Sequence, residues 1–153
     1  MAGYTINGRK GTIGIEDFAL VRYNLNGTLD TSFGGTGEVT TDLGTAFDVA
    51  KDVAIQPDGK IVAAGYADGN FALVRCNADG SLDTSFGGSS AEGEIITQVG
   101  GKGSFNQGYS LALQPDGKIV VSRRWPATMS RTPRALPPAR SDSRPTAATA
   151  TMR

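Results

Sequence analysis

The stretch FALVRYNLNGTLDTSFGG begins at Phe18 and returns as FALVRCNADGSLDTSFGG at Phe71, with only four residues changed. A chain that repeats itself at an interval of 20 to about 50 residues builds one supersecondary unit several times and buries each unit against the next. The duplication extends beyond this block. GEVTTDLG (37–44) returns as GEIITQVG (93–100), and QPDGKIV (56–62) returns unchanged at 114–120, which defines copies at about 18–62 and 71–120. The offset between matching blocks widens from 53 to 56 to 58 residues. The second copy therefore carries small insertions, near SSAE and GKG, where loops absorb extra residues at little entropic cost.

Each copy resolves into four short strands. KDVAIQ (51–56) and its counterpart YSLALQ alternate apolar and polar positions, Val53 and Ile55 facing one way, which is the period of a half-buried strand. The dipeptide Asp58-Gly59 that follows predicts a two-residue type I′ hairpin, with positive φ at both positions. KIVAAG is a continuous apolar strand of small residues, suited to an interior where backbones approach closely. FALVR sets Phe71, Leu73 and Arg75 on one face and Ala72 and Val74 on the other. NADG and NLNG then supply turn residues, and GEIITQV is a β-branched fourth strand. No helical period appears between residues 1 and 121. The expected fold is all-β, a repeat of four-stranded antiparallel propeller-type blades, about two blade equivalents in an incomplete ring.

The run PDGKIVAAGYADGNFALVRCNADGSLDTSFG resembles the delta-60 repeat, a bacterial β-propeller repeat family of unknown function. The resemblance covers about residues 2–121 and rests on PDGKIV, FALVRYN and LDTSFG in that order. It implies a blade-forming piece of a larger secreted or surface protein and carries over no catalytic residue. The repeat is entered and left in mid-strand, since AGY at 2–4 matches AGY at 64–66 and the pattern stops after Val121. Open blade edges of this kind favour self-association.

The chemistry is narrowed by what is missing. There is no histidine, which removes the usual bases of nucleophilic triads and the commonest metal ligand, and a single cysteine, Cys76, excludes an internal disulfide. Cys76 stands where the first copy has Tyr23, an apolar structural position. GYSLA around Ser110 lacks a partner base for a nucleophile elbow, and GGKGS around Lys102 lacks the spacing of a phosphate loop. The expectation is therefore no enzyme, no catalytic residue and no cofactor. Calcium is the one metal worth weighing. Asn77, Asp79 and Asp83, like Asn24, Asn26 and Asp30 in the first copy, have the spacing of oxygen ligands, but Asn, Asp and Gly are also turn formers, and that explanation is preferred. The sequon at Asn26 coincides with the same turn signal.

Composition divides the chain. Residues 1–121 hold 8 Lys and Arg against 14 Asp and Glu, whereas 122–153 hold seven Arg against Asp142 and contain no glycine. The Arg, Pro and Ala-rich segment has no periodicity and is expected to be a disordered or out-of-frame tail, not a nucleic-acid arm. No apolar run reaches membrane-spanning length and no signal-peptide pattern opens the chain, so localisation rests on the resemblance alone. The function expected is a non-catalytic structural or binding module for a glycan or protein ligand. The alternative is a fragment of a propeller-type hydrolase using loop carboxylates.

Overall fold

The computed structural model describes residues 2–7, 15–87, 92–101, 104 and 106–123. Three antiparallel sheets follow one another along the chain. The first holds β1 (Ala2–Asn7), β2 (Ile15–Val21) and β3 (Glu38–Thr41); the second β4 (Asp48–Ile55), β5 (Ile61–Ala67), β6 (Asn70–Cys76) and β7 (Glu94–Thr97); the third β8 (Gly108–Leu113) and β9 (Ile119–Arg123). Strands within each sheet are ordered as in the sequence, the meander of a propeller blade. The middle sheet is one complete blade. The first presents the last three strands of the pattern and the third presents the first two. Register confirms the equivalence: Ala2 pairs with Leu20 as Ala64 pairs with Leu73, and Leu111 pairs with Val121 as Val53 pairs with Ala63.

Two expectations are corrected. The first strand of the complete blade starts at Asp48, not Lys51, and passes through a bulge between Ala50 and Asp52. Its outer end is not covered as alternation implied, for Ile55 is 69% exposed. The second correction concerns the turn. Gly59 has φ 85°, while Asp58 is not among the residues of positive φ. Gly59 N–H donates to Gln56 O and Gln56 N–H to Lys60 O, which is a three-residue loop closed by a left-handed glycine. Pro57 is compatible with this loop, because its fixed φ suits the first central position of a type I turn, but the loop does not depend on it, since Leu25 and Ala78 hold the same position in two of the equivalent loops. The same pattern recurs at Asn24–Thr28, Asn77–Ser81 and Gln114–Lys118. The two-residue turn with positive φ at both positions lies instead at Asp68-Gly69.

Packing between sheets makes the core. β4 lies on β1 and β2, and β8 lies on β4 and β5. The buried cluster draws Phe18 and Leu20 from the first sheet, Phe33 and Leu43 from its loops, and Ala50, Ala63, Ala72, Val74 and Cys76 from the second. Small residues in β5 allow the closest approach. A Cβ on Gly65 would fall within bonding range of Val49 O and 2.9 Å from Val49 C, and one on Gly108 would be 2.6 Å from Gly65 O. Asp52 ties the second seam, accepting the Leu111 N–H at 2.8 Å and the Ser110 hydroxyl at 3.2 Å.

Candidate functional site

The duplicated block is scaffold. In each copy an arginine donates through Nε to the aspartate of LDTSFGG: Arg22 to Asp30 at 2.8 Å, and Arg75 to Asp83 at 2.7 Å. The same guanidinium covers the ring of the following phenylalanine, Phe33 at 4.7 Å and Phe86 at 4.4 Å from the centroid. The block also grips the next copy, because Gly34 N–H donates to Asp79 O at 2.8 Å and Gly80 sits on the Phe33 ring.

The calcium candidates are absorbed by this scaffold. Asp83 is buried and accepts Lys60 Nζ and Arg75 Nε, both at 2.7 Å, on one oxygen and the Ser85 hydroxyl on the other. Two cations thus neutralise this carboxylate. The Lys60 hydrogen bond, with those of Ser85 and Arg75, holds its carboxyl well below the usual range. Asp79 turns its oxygen to Ser81, and Asn77 points its amide nitrogen at Ser81 Oγ and Leu82 O. In the first copy Asn26 bonds Thr28 in the same way. Ser110 stands in the middle of β8, not on a strand-to-helix turn, and Cys76 is fully buried, its thiol pushed up to about 11 by burial and by Asp79 and Asp83. Lys102 and residues 124–153 lie outside the described residues.

Two groupings join residues from different sheets. The first is a cleft of about 570 Å³ lined by Glu16, Phe47, Tyr66, Asp68, Gly69 and Gln107. Local structure places each one. Glu16 N–H donates to Ala46 O and Asp68 N–H to Phe47 O, so the start of β2, the start of β4 and the β5–β6 turn meet at one end of the sheets. Asn106 N–H donates to Gly69 O, bringing Gln107 to the same rim. Phe47 and Tyr109 are exposed, Tyr109 donates to Gln107 Oε1 at 2.8 Å, and Lys51 stands 5.5 Å from the Tyr66 ring centroid and 5.8 Å from that of Tyr109.

The second grouping takes the chain neighbours of Glu16 and Phe47. Asp17 and Asp48 are buried, and a carboxylate oxygen of each lies with one of Asp42 within a 4.8 Å group. Three such oxygens have the donor chemistry a hard divalent cation uses. Asp48 accepts the Leu43 N–H at 2.8 Å and the Thr45 hydroxyl, yet burial, with Asp42 adding its charge, pushes its carboxyl above the ordinary value. Reading one copy at a time hides this cluster, since its members are 25 and 6 residues apart in the chain. Aligning the copies exposes it: Asp17, Asp42 and Asp48 correspond to Asn70, Gln98 and Asn106. The equivalent positions of the second copy carry neutral amides.

Asp48, raised when folded, contributes its stability fully below its ordinary value of 3.8 and loses it as pH rises through the folded value. Asp30, Asp79, Asp83 and Asp116 are held low, so theirs is present above 3.8 and lost as pH falls through the folded values. Asp48→Asn is expected to raise the melting temperature at pH 7 by ~3–5 °C, for a gain of about 1 kcal/mol, and by less near pH 4. Thermal melts across pH 3.5–8 check both. An equal effect at every pH would show that charge is not what the substitution relieves.

These features define a propeller-type β-repeat protein whose polar repeat residues are engaged in scaffolding and whose cross-sheet cleft is open. A family described as a β-propeller domain of unknown function (DUF5122) matches residues 10–33 and 56–86, segments that include PDGKIV, both FALVR strands and the start of each LDTSFG block. The chain is similar to that family over these two stretches. No curated protein and no solved structure matches it. Among the described residues no helix is long and apolar enough to cross a membrane.

Proposed function

We propose that the protein is a non-catalytic binding module whose cross-sheet cleft accepts a carbohydrate. The observation that carries this reading is the lining: the exposed Phe47 ring and the half-buried Tyr66 ring beside two carboxylates and an amide, in a volume suited to a small ligand. Ring faces such as Phe47 pack on the apolar C–H face of a sugar, while Glu16, Asp68 and Gln107 accept from its hydroxyls. A hydrolase would need an acid kept protonated at the point of bond cleavage. Among the described residues burial pushes the carboxyls of Asp48 and Glu94 upward, and both stand away from the cleft lining.

A glycan array followed by calorimetry on the best ligand tests the reading. Phe47→Ala is expected to weaken binding tenfold or more, about 1.4 kcal/mol, without lowering the melting temperature, because the side chain is already exposed. Absence of any glycan bound above background overturns it. Turnover of a glycoside panel would favour the hydrolase alternative instead.

A further inference from the structure

We propose that a second copy of this chain completes the third sheet: the β8–β9 hairpin of one molecule continues onto the β1–β2–β3 sheet of another, in the relation that β4–β5 has to β6–β7 within the middle blade. The ends fit as a divided strand. β9 matches residues 61–65 of β5, and β1 matches 64–69. Within the complete blade Ile61 pairs with Cys76 and Val62 with Arg75, whereas the β1–β2 register ends at Ala2 and Leu20. Ile119 and Val120 of one copy therefore fall opposite Tyr23 and Arg22 of the next. Ser122–Arg123 of one copy and Ala2–Gly3 of the next are equivalent to the same two positions of β5 and each pair is held in its own sheet, so docking requires one of these two-residue ends to leave its place.

Exposure marks the same positions. Val62 is 0% exposed and its equivalent Val120 49%; Cys76 is 0% exposed and its equivalent Tyr23 52%. Sheet equivalents are covered in the middle blade and bare where the proposal places the contact. The cleft of about 390 Å³ between the β6–β7 face and β9 continues the existing β4–β8 seam, and it lies where the outer strands of a completed third sheet would pack.

Charge and turn geometry agree with one occupant, another copy. Lys60 reaches Asp83 across the complete blade, while its equivalent Lys118 is exposed and pairs only with nearby Asp116 among the ion pairs of the described residues. In the docked pair Lys118 meets Asp30 of the second copy, the equivalent of Asp83. Gly80 sits on the Phe33 ring, but Gly27, its equivalent, has nothing within 4 Å of its Cβ direction, and Phe86, the equivalent of Phe33, is only half-buried. The same docking puts Gly27 of one copy on Phe86 of the other. Among the described residues, 15–48 carry six acids and Arg22 alone, and 117–123 carry Lys118 and Arg123 and no acid. Opposite ends thus attract at moderate ionic strength.

Such a contact is heterologous, so repeated docking gives a ring if the rotation closes and a chain of molecules if it does not. The test is mass by sedimentation or light scattering across a concentration series of the full chain. Wild type is expected to grow with concentration, and Val120→Asp and Tyr23→Asp each to remain monomeric. An equimolar mixture of the two should give dimers and nothing larger, since each variant keeps one intact end. If circular dichroism shows either variant unfolded, Lys118→Glu or Asp30→Asn replaces it with the same expectation. A wild type that stays monomeric throughout, variants that assemble as wild type does, or a mixture that stays monomeric overturns the proposal. None of these residues lines the carbohydrate cleft, so loss of assembly and loss of binding are separable.

Discussion

Gly65→Ala is expected to remove much of the chain's net stability, whereas Gly3→Ala, in the equivalent strand of the first sheet, is expected to be neutral or slightly stabilising. The added Cβ at Gly65 meets backbone, not side chain: it lands on the carbonyl of Val49, 2.9 Å from its carbon and 3.0 Å from Ala50 Cα. A flexible side chain could yield, but Val49 and Ala50 sit in β4 just before the bulge, both buried and paired with Tyr66 and Gly65. Moving them would also disturb Gly108 in β8, which itself packs on Gly65 O. Overpacking a core typically costs 1–3 kcal/mol. A clash with paired backbone at the junction of two sheets exceeds that, ~4 kcal/mol or more, against a net stability of roughly 5–15 kcal/mol. Gly3 has nothing within 4 Å of its Cβ direction, and an alanine there gains about 0.4–1 kcal/mol by restricting the unfolded chain. Far-ultraviolet circular dichroism and thermal melts of both variants check the pair. Comparable melting of the two would mean that β4 and β5 do not approach as closely as the bulge brings them.

That glycine shows what the sequence makes legible. KIVAAGY announced a crowded strand, because small residues in an apolar run serve no purpose on an open surface. The repeat announced the blade, and the Asn-Asp-Gly clusters announced the turns at the right places. Turn type was less legible: the Asn-Gly or Asp-Gly pair closes a three-residue loop at Gly27, Gly59, Gly80 and Gly117, with or without a proline before it, and both central residues with positive φ appeared at Asp68-Gly69. The candidate site was the least legible part. Carboxylates at matched positions of the repeat, Asp30 and Asp83, drew attention and proved to be held by arginine. The residues that come together across sheets are those that differ between copies, Asp17, Asp42 and Asp48 against Asn70, Gln98 and Asn106. Glu16, Phe47, Asp68 and Gln107 are brought to one cleft only by the stacking of three sheets, a long-range relation that no local pattern encodes.

Phe33→Ala and Phe86→Ala make the sharpest comparison, since both rings sit in an identical LDTSFGG block beneath an identically placed arginine. Phe33 is 1% exposed, closed on one side by Arg22 and on the other by Gly80 of the next repeat. Truncating it removes a large buried ring and opens a cavity that a glycine turn cannot collapse to fill, so a loss of about 3–5 kcal/mol is expected. Phe86 keeps its arginine but is half-buried, and about 1–2 kcal/mol is expected at low protein concentration, where each chain stands alone. Chemical denaturation of both variants against wild type measures the two losses. Equal losses would place the ring's contribution inside its own repeat and make contact with the next turn incidental. Unequal losses assign the difference to coupling between neighbouring blades, which is the interaction that a repeat protein depends on. The head-to-tail contact adds a concentration dependence to this comparison. If Gly27 of a second copy closes over Phe86, the cost of Phe86→Ala must rise toward that of Phe33→Ala as wild type assembles, while the cost of Phe33→Ala, already set within one chain, stays where it was.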